Sequence, residues 1–122
     1  MYIIRNPQGT LLPATCRELI EKEGSMPVYV TLYKWTDSGA KSLKDAPKRI
    51  AESSKATEQF GGKLIGLWVT MGEYDLVSVA EWPNDEAAAT TSLAISSRGN
   101  ARTLTMRAFN QAEFAEMAKK LP

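Results

Sequence analysis

Tyr74 and Asp75 place a phenol beside a carboxylate, a pair able to hold a polar group or pass a proton. Arg107 adds a guanidinium fork of the kind that grips an anion. These three are the candidate catalytic or anchoring groups. Tyr29, Tyr33, Trp35 and Trp68 offer ring faces for a planar ligand, and Thr70 and Thr105 offer hydroxyls, so these residues with Arg107 are the candidate ligand-binding set. Each also has a purely structural alternative. Asp75 can accept backbone N–H groups in a turn while Tyr74 packs across strands. Arg107 can pair with a carboxylate of the fold or of a partner subunit, and the rings can fill an intersubunit core.

The chain has no histidine. That removes His-based nucleophilic triads, His-rich zinc or iron sites and proximal-His haem ligation. Any acid–base chemistry then falls to Asp, Glu, Lys, Tyr or water. No residue pattern requires a metal or a cofactor. Gly61-Gly62-Lys63 lacks the Walker spacing and closes a helix instead of opening one, so it is no phosphate loop. The one cysteine, Cys16, cannot form an intrachain disulfide and reads as inert, which fits a reducing compartment.

The elements that position these groups follow from periodicity. Residues 28–35 alternate as a strand with two usable faces, and Thr36-Asp37-Ser38-Gly39 breaks it. A helix follows, with Pro47 in its first turn and Gly61-Gly62 at its end. Residues 63–71 and 74–82 read as two strands joined by a two-residue Gly72-Glu73 turn of type II′. Asn84 caps the next helix, Asp85 and Glu86 suit its positive end, and Gly99 follows it. Residues 101–109 form a fourth strand. Asn110 with Glu113 then opens a last helix with an apolar stripe of Phe114, Met117, Ala118 and Leu121. The order β-α-β-β-α-β-α predicts an α+β, ferredoxin-like βαββαβ fold, with a four-stranded antiparallel sheet, two helices on one face and an extra C-terminal helix. Residues 1–25, with one short helical possibility over 15–23, read as an N-terminal extension, and residues 26–122 as the domain.

Such a sheet leaves one side bare. The alternation sends Val28, Val30 and Leu32 towards the helices, with Ile65, Leu67, Val69 and Met71 and, on the third strand, Val77 and Val79. Tyr29, Thr31, Tyr33, Trp35, Trp68, Thr70, Thr103, Thr105 and Arg107 then face outward. An aromatic patch of that size is a poor surface for a lone protomer. The expectation is a homodimer, or a larger ring of dimers, whose paired sheets enclose an aromatic pocket for a small anionic or aromatic ligand.

Bulk properties narrow the class. The 122 residues fit one domain. Fifteen basic and 14 acidic side chains give a net charge of +1, scattered along the chain. This argues against nucleic acid as a partner, since phosphate binding needs a concentrated basic face. No apolar run approaches the roughly 20 residues that span a bilayer, and no secretory core precedes Arg5 and Asn6. The expected location is cytoplasmic, with no membrane partner.

Three segments carry a family resemblance: Tyr29-Val30-Thr31-Leu32-Tyr33-Lys34-Trp35-Thr36, Thr70-Met71-Gly72-Glu73-Tyr74-Asp75, and Gly99 to Thr103 with Arg107-Ala108-Phe109. They resemble the GYD domain family, whose Gly-x-Tyr-Asp-like segment corresponds to Gly72, Tyr74 and Asp75. The resemblance runs from about Met26 to Pro122 and omits residues 1–25. It implies a small bacterial domain of the dimeric α+β barrel kind, and no agreed activity. The leading expectation is therefore a homo-oligomeric small-molecule-binding or assembly module. The alternative is a cofactor-independent oxygenase or isomerase of a small aromatic or enolisable compound, working through Tyr74, Asp75 and Arg107. A third possibility is a structural protein whose N-terminal arm grips another protein.

Overall fold

The computed structural model describes residues 2–5, 11–14 and 26–122. Cys16 and the helical possibility over 15–23 lie outside them. The chain divides into two compact units, Met26–Ala108 and, separately, Met1–Ser25 with Phe109–Pro122. The smaller unit begins with an antiparallel hairpin of β1 (Tyr2–Arg5) and β2 (Leu11–Ala14).

In the larger unit β3 (Val28–Trp35) leads through the short α1 (Asp37–Lys41) and one 3-10 turn into α2 (Ala46–Gln59). β4 (Lys63–Val69), β5 (Leu76–Glu81), α3 (Asp85–Ser97) and β6 (Ala101–Ala108) follow. The strands form one antiparallel sheet in the order β4-β5-β3-β6. This is the ferredoxin-like α+β arrangement that the periodicity predicts. Its punctuation is also as the residues imply. Pro47 lies at the start of α2, and the Asn84 side chain accepts the Ala87 N–H at 2.9 Å.

The smaller unit ends with α4 (Gln111–Ala118). Asn110 and Glu113 cap this helix reciprocally, Asn110 accepting from the Glu113 N–H at 2.8 Å and Glu113 from the Asn110 N–H at 3.1 Å. Phe114, Met117 and Leu121 on this segment stay largely exposed.

Two expectations need correction. First, the sheet faces are reversed. Tyr29 and Thr31 are buried, and Tyr33 and Trp35 line the space under the helices with Thr105. Register carries Leu76, Ser78 and Ala80 to the same side, and Trp82 is buried there too. Val30 and Leu32 instead share the opposite face with Val77, Val79, Leu104 and Met106. The physical reason is the helices' own composition. α2 turns Ser53, Ser54, Ala56 and Thr57 towards the sheet, and α3 turns Ala87, Ala88, Thr91 and Ser92. Small side chains above need large rings below to fill the layer. On β4 the register slips between Leu64 and Gly66, so Leu64 and Leu67 both point inward while Ile65 is exposed.

Second, the β4–β5 connection is longer than two residues. The Thr70 N–H donates to the Asp75 carbonyl at 2.9 Å, which leaves Met71 to Tyr74 as the turn, with Gly72 at a φ of 100°. Asp75 is tied to the neighbouring strand. Its N–H donates to the Tyr33 carbonyl at 2.8 Å, and its carboxylate accepts the Trp35 N–H at 2.8 Å.

Candidate binding site between the sheet and its helices

Strand alternation places Tyr29, Thr31, Tyr33 and Trp35 in a row beneath α2 and α3, and each meets different chemistry. The Tyr29 hydroxyl donates to the Asp85 carboxylate in the first turn of α3, and the Tyr29 ring packs in the core with Ala80, Trp82 and Ala88. Arg107, paired with Tyr29 across β3 and β6, holds its guanidinium carbon 5.7 Å from the ring centre. It also donates to the Ala108 carbonyl at 2.7 Å.

Burial, then the hydrogen bond and negative charge of Asp85, pushes the Tyr29 phenol up to about 12, against a smaller opposing pull from Arg107. The unfolded phenol ionises first, near the ordinary value of about 10. The unfolded state therefore binds fewer protons between these values, and stability falls as pH rises. The Tyr29 contribution is complete below about pH 10 and lost as pH climbs through about 12. Asp85→Asn should move the late step of the tyrosinate absorbance titration down towards the ordinary value. An unmoved late step would break the assignment.

Further along the row, the Tyr33 and Ser78 hydroxyls bond at 2.8 Å. Thr31 bonds Thr105 at 3.1 Å, and Thr105 bonds Ser92 on α3 at 2.9 Å. Burial raises the Tyr33 phenol, while hydrogen bonds with Ser78 and Thr31 pull it back. These hydroxyls line a cavity of about 320 Å³ between the sheet and both helices, with Trp82, Leu64, Leu67 and Ile95 supplying apolar surface. A volume of that order lies at the small end of the ligand-pocket range. A second hollow of about 80 Å³ lies beside it, lined by Trp35, Arg49, Asn100 and Arg98. Arg49 stands 5.8 Å from the Trp35 ring centre and donates to the Ser42 carbonyl at 2.9 Å.

The residues singled out from sequence are thus dispersed. Tyr33 and Thr105 line the larger cavity, and Tyr33 and Trp35 the smaller. Tyr29 is core, with Arg107 beside it. Trp68 lies on the opposite face, against Gly66, where an added Cβ would stand 2.3 Å from the ring. Thr70 is in the turn, its hydroxyl donating to the Tyr74 carbonyl at 2.7 Å. Tyr74 carries the Lys34 ammonium 5.3 Å from its ring centre.

Tyr74, Asp75 and Arg107 do not converge. Asp75 holds the N–H of Trp35 while Arg107 pairs with Tyr29, six residues back along β3, a separation of about 20 Å at strand rise. Asp85, Ser78, Ser92, Arg49 and Arg98 are site residues that sequence reasoning does not single out. The available signal is the run of Ser, Thr and Ala on the inner helix faces, too small to fill a core unaided. Among the described residues no group of His, Cys, Asp and Glu could hold a metal ion, and no helix is long and apolar enough to cross a membrane.

The sheet's other face is aliphatic. Leu104 and Met106 are 46% and 42% exposed, and Trp68 53%. Val30, Leu32, Val77 and Val79 fill the centre of this surface. A charge pair lies at its periphery, Lys34 with Glu73 at 3.5 Å.

Comparison with known proteins adds two findings. A family model described as the GYD domain matches residues 29–118. A protein of Thermus thermophilus, named glutamine synthetase and cystathionine beta-lyase binding protein, is 33% identical over 95 residues. The aligned region covers 77% of this chain and all of that protein.

Proposed function

Because the chain belongs to the GYD domain family, we propose that it is a homo-oligomeric assembly module that binds other proteins, with metabolic enzymes as its partners. The observation that carries this reading is the uncovered aliphatic sheet face. A surface with Val30, Leu32, Val77 and Val79 at its centre, and Leu104 and Met106 beside them on the edge strand, gains free energy by leaving water. A second copy is the occupant that fits it best. The face lacks charge at its centre and meets its own two-fold image with like chemistry. Pairing two sheets in this way frees the helices and loops of the assembly for partners.

The Thermus relative's name supports glutamine synthetase and cystathionine β-lyase as the partner enzymes to try first. Size-exclusion chromatography with light scattering tests both parts. The chain alone should elute at twice its protomer mass or more, and should co-elute with either purified enzyme. A single-protomer mass at high micromolar concentration would remove the oligomer, and failure to co-elute with both enzymes would remove the partner assignment. The oxygenase or isomerase alternative gains no support from the geometry, since Asp75 is committed to the Trp35 backbone, far from Arg107.

A further inference from the structure

We infer that the paired hollows under α2 and α3 form one binding site for a small planar carboxylate that carries a second hydrogen-bonding oxygen. This inference stands apart from the assembly reading, since it concerns the opposite face of the sheet.

The hollows are neighbours, sharing Tyr33, Ser53, Leu67, Ile95 and Arg98 in their linings. Their polar character differs sharply. The smaller is lined by two arginines, Arg49 and Arg98. Arg49 donates only to neutral acceptors, the carbonyls of Ser42 and Gly39 and the Ser42 hydroxyl. The Arg98 side chain makes no hydrogen bond or ion pair among the described residues. Asp75, tied to the Trp35 N–H, is not part of the lining. The one carboxylate of the larger lining, Glu86, is 12 residues from Arg98 along α3, about 18 Å at helical rise, beyond a Debye length at physiological salt. Two unneutralised guanidiniums beside an apolar hollow favour an anion, and their planar forks match a carboxylate.

The larger hollow supplies the other half of the recognition. Its hydroxyls form one chain, Ser78–Tyr33–Thr31–Thr105–Ser92. A chain of hydroxyls has one more hydrogen than it has links, so this one retains an O–H in search of an acceptor. Ser92 and Arg98 are six residues apart on α3, about 9 Å along its axis. A molecule with a carboxylate at one end and an oxygen at the other, on a flat ring lying between Tyr33 and Ile95, spans that gap.

The test uses 4-hydroxybenzoate, with benzoate (lacking the second oxygen) and 4-hydroxybenzamide (lacking the charge) as controls, followed by amide NMR shifts on the full chain. Saturable shifts at Thr31, Tyr33, Asn100 and Thr105 are expected with 4-hydroxybenzoate. Binding should weaken by about tenfold for each control and for Arg98→Gln, whereas Arg98→Gln should leave 4-hydroxybenzamide unaffected. Arg98 is exposed, so the variant should fold normally. The inference is overturned if those amides fail to shift, if the amide binds as well as the acid, or if Arg98→Gln changes nothing. A chain that assembles normally but ignores 4-hydroxybenzoate would overturn this inference and leave the assembly reading intact.

Discussion

Met106→Asp is expected to turn the proposed oligomer into single protomers, raising the dissociation constant at least about a hundredfold. Met106 stands on the edge strand β6, beside Val30 on the aliphatic face, so sheet pairing there would desolvate the new carboxylate among apolar neighbours. Leaving a charge unpaired in an apolar contact costs several kcal/mol, and about 2.7 kcal/mol suffices for two decades in affinity. The fold itself should survive, because this side chain is 42% exposed in one protomer. Circular dichroism checks that point while light scattering reads the mass. Leu93→Asp provides the contrast. Leu93 is 70% exposed and lies on α3, across the sheet from the aliphatic face, so this variant should leave the mass unchanged. An unchanged mass in Met106→Asp would dismiss the sheet face as the contact.

Trp82→Ala is expected to cost about 3–5 kcal/mol, the usual range for removing a buried large ring. That is a large part of the roughly 5–15 kcal/mol that holds a domain together, and urea unfolding should show it as an early midpoint. Trp82 is 5% exposed and joins Tyr29, Ala80 and Ala88 in the core. The same ring explains Gly62. A Cβ there would lie 2.7 Å from two ring carbons, closer than any side chain tolerates. Gly62→Ala should therefore cost about 1–3 kcal/mol by overpacking. In a Trp82→Leu background the obstacle is gone, and the same substitution should become nearly neutral. This strong coupling is what contacting residues show in a double-mutant cycle. Equal costs in the two backgrounds would mean that Gly62 is needed for its backbone alone.

Element order and capping are legible in the residues because they are local. Asn84 and the Asn110/Glu113 pair act on N–H groups within one turn, and Pro47 acts on its own backbone. The faces of the sheet are a different matter. Period-two alternation reveals that Val30 and Thr31 point apart, but not which of them a helix will cover. The aliphatic set reads as the interior, yet Ser54, Thr57, Ala88 and Ser92 fill their layer only with rings from below. The pocket residues follow the face. Tyr33, Trp35 and Thr105 stand out in the sequence by their ring and hydroxyl chemistry, whereas Arg49 and Arg98 join them only because the helices close over that side. The hairpin of β1 and β2 is hard to read because each strand has four residues and Pro13 interrupts the second. A two-stranded ribbon consists entirely of edges, where proline is admissible.

The position of β3 also bears on how the chain is made. Trp35 pairs with Ala101 and Val28 with Ala108 on one flank, while β5 occupies the other. β3 is made before both strands it pairs with, and its outer neighbour β6 is the later of the two, so one flank of β3 stays open until β6 is made. Contacts so distant in sequence slow folding. Until then the outer edge of β3 presents unpaired N–H and C=O groups in the nascent chain, a template for wrong strand pairing that chaperone cover would guard.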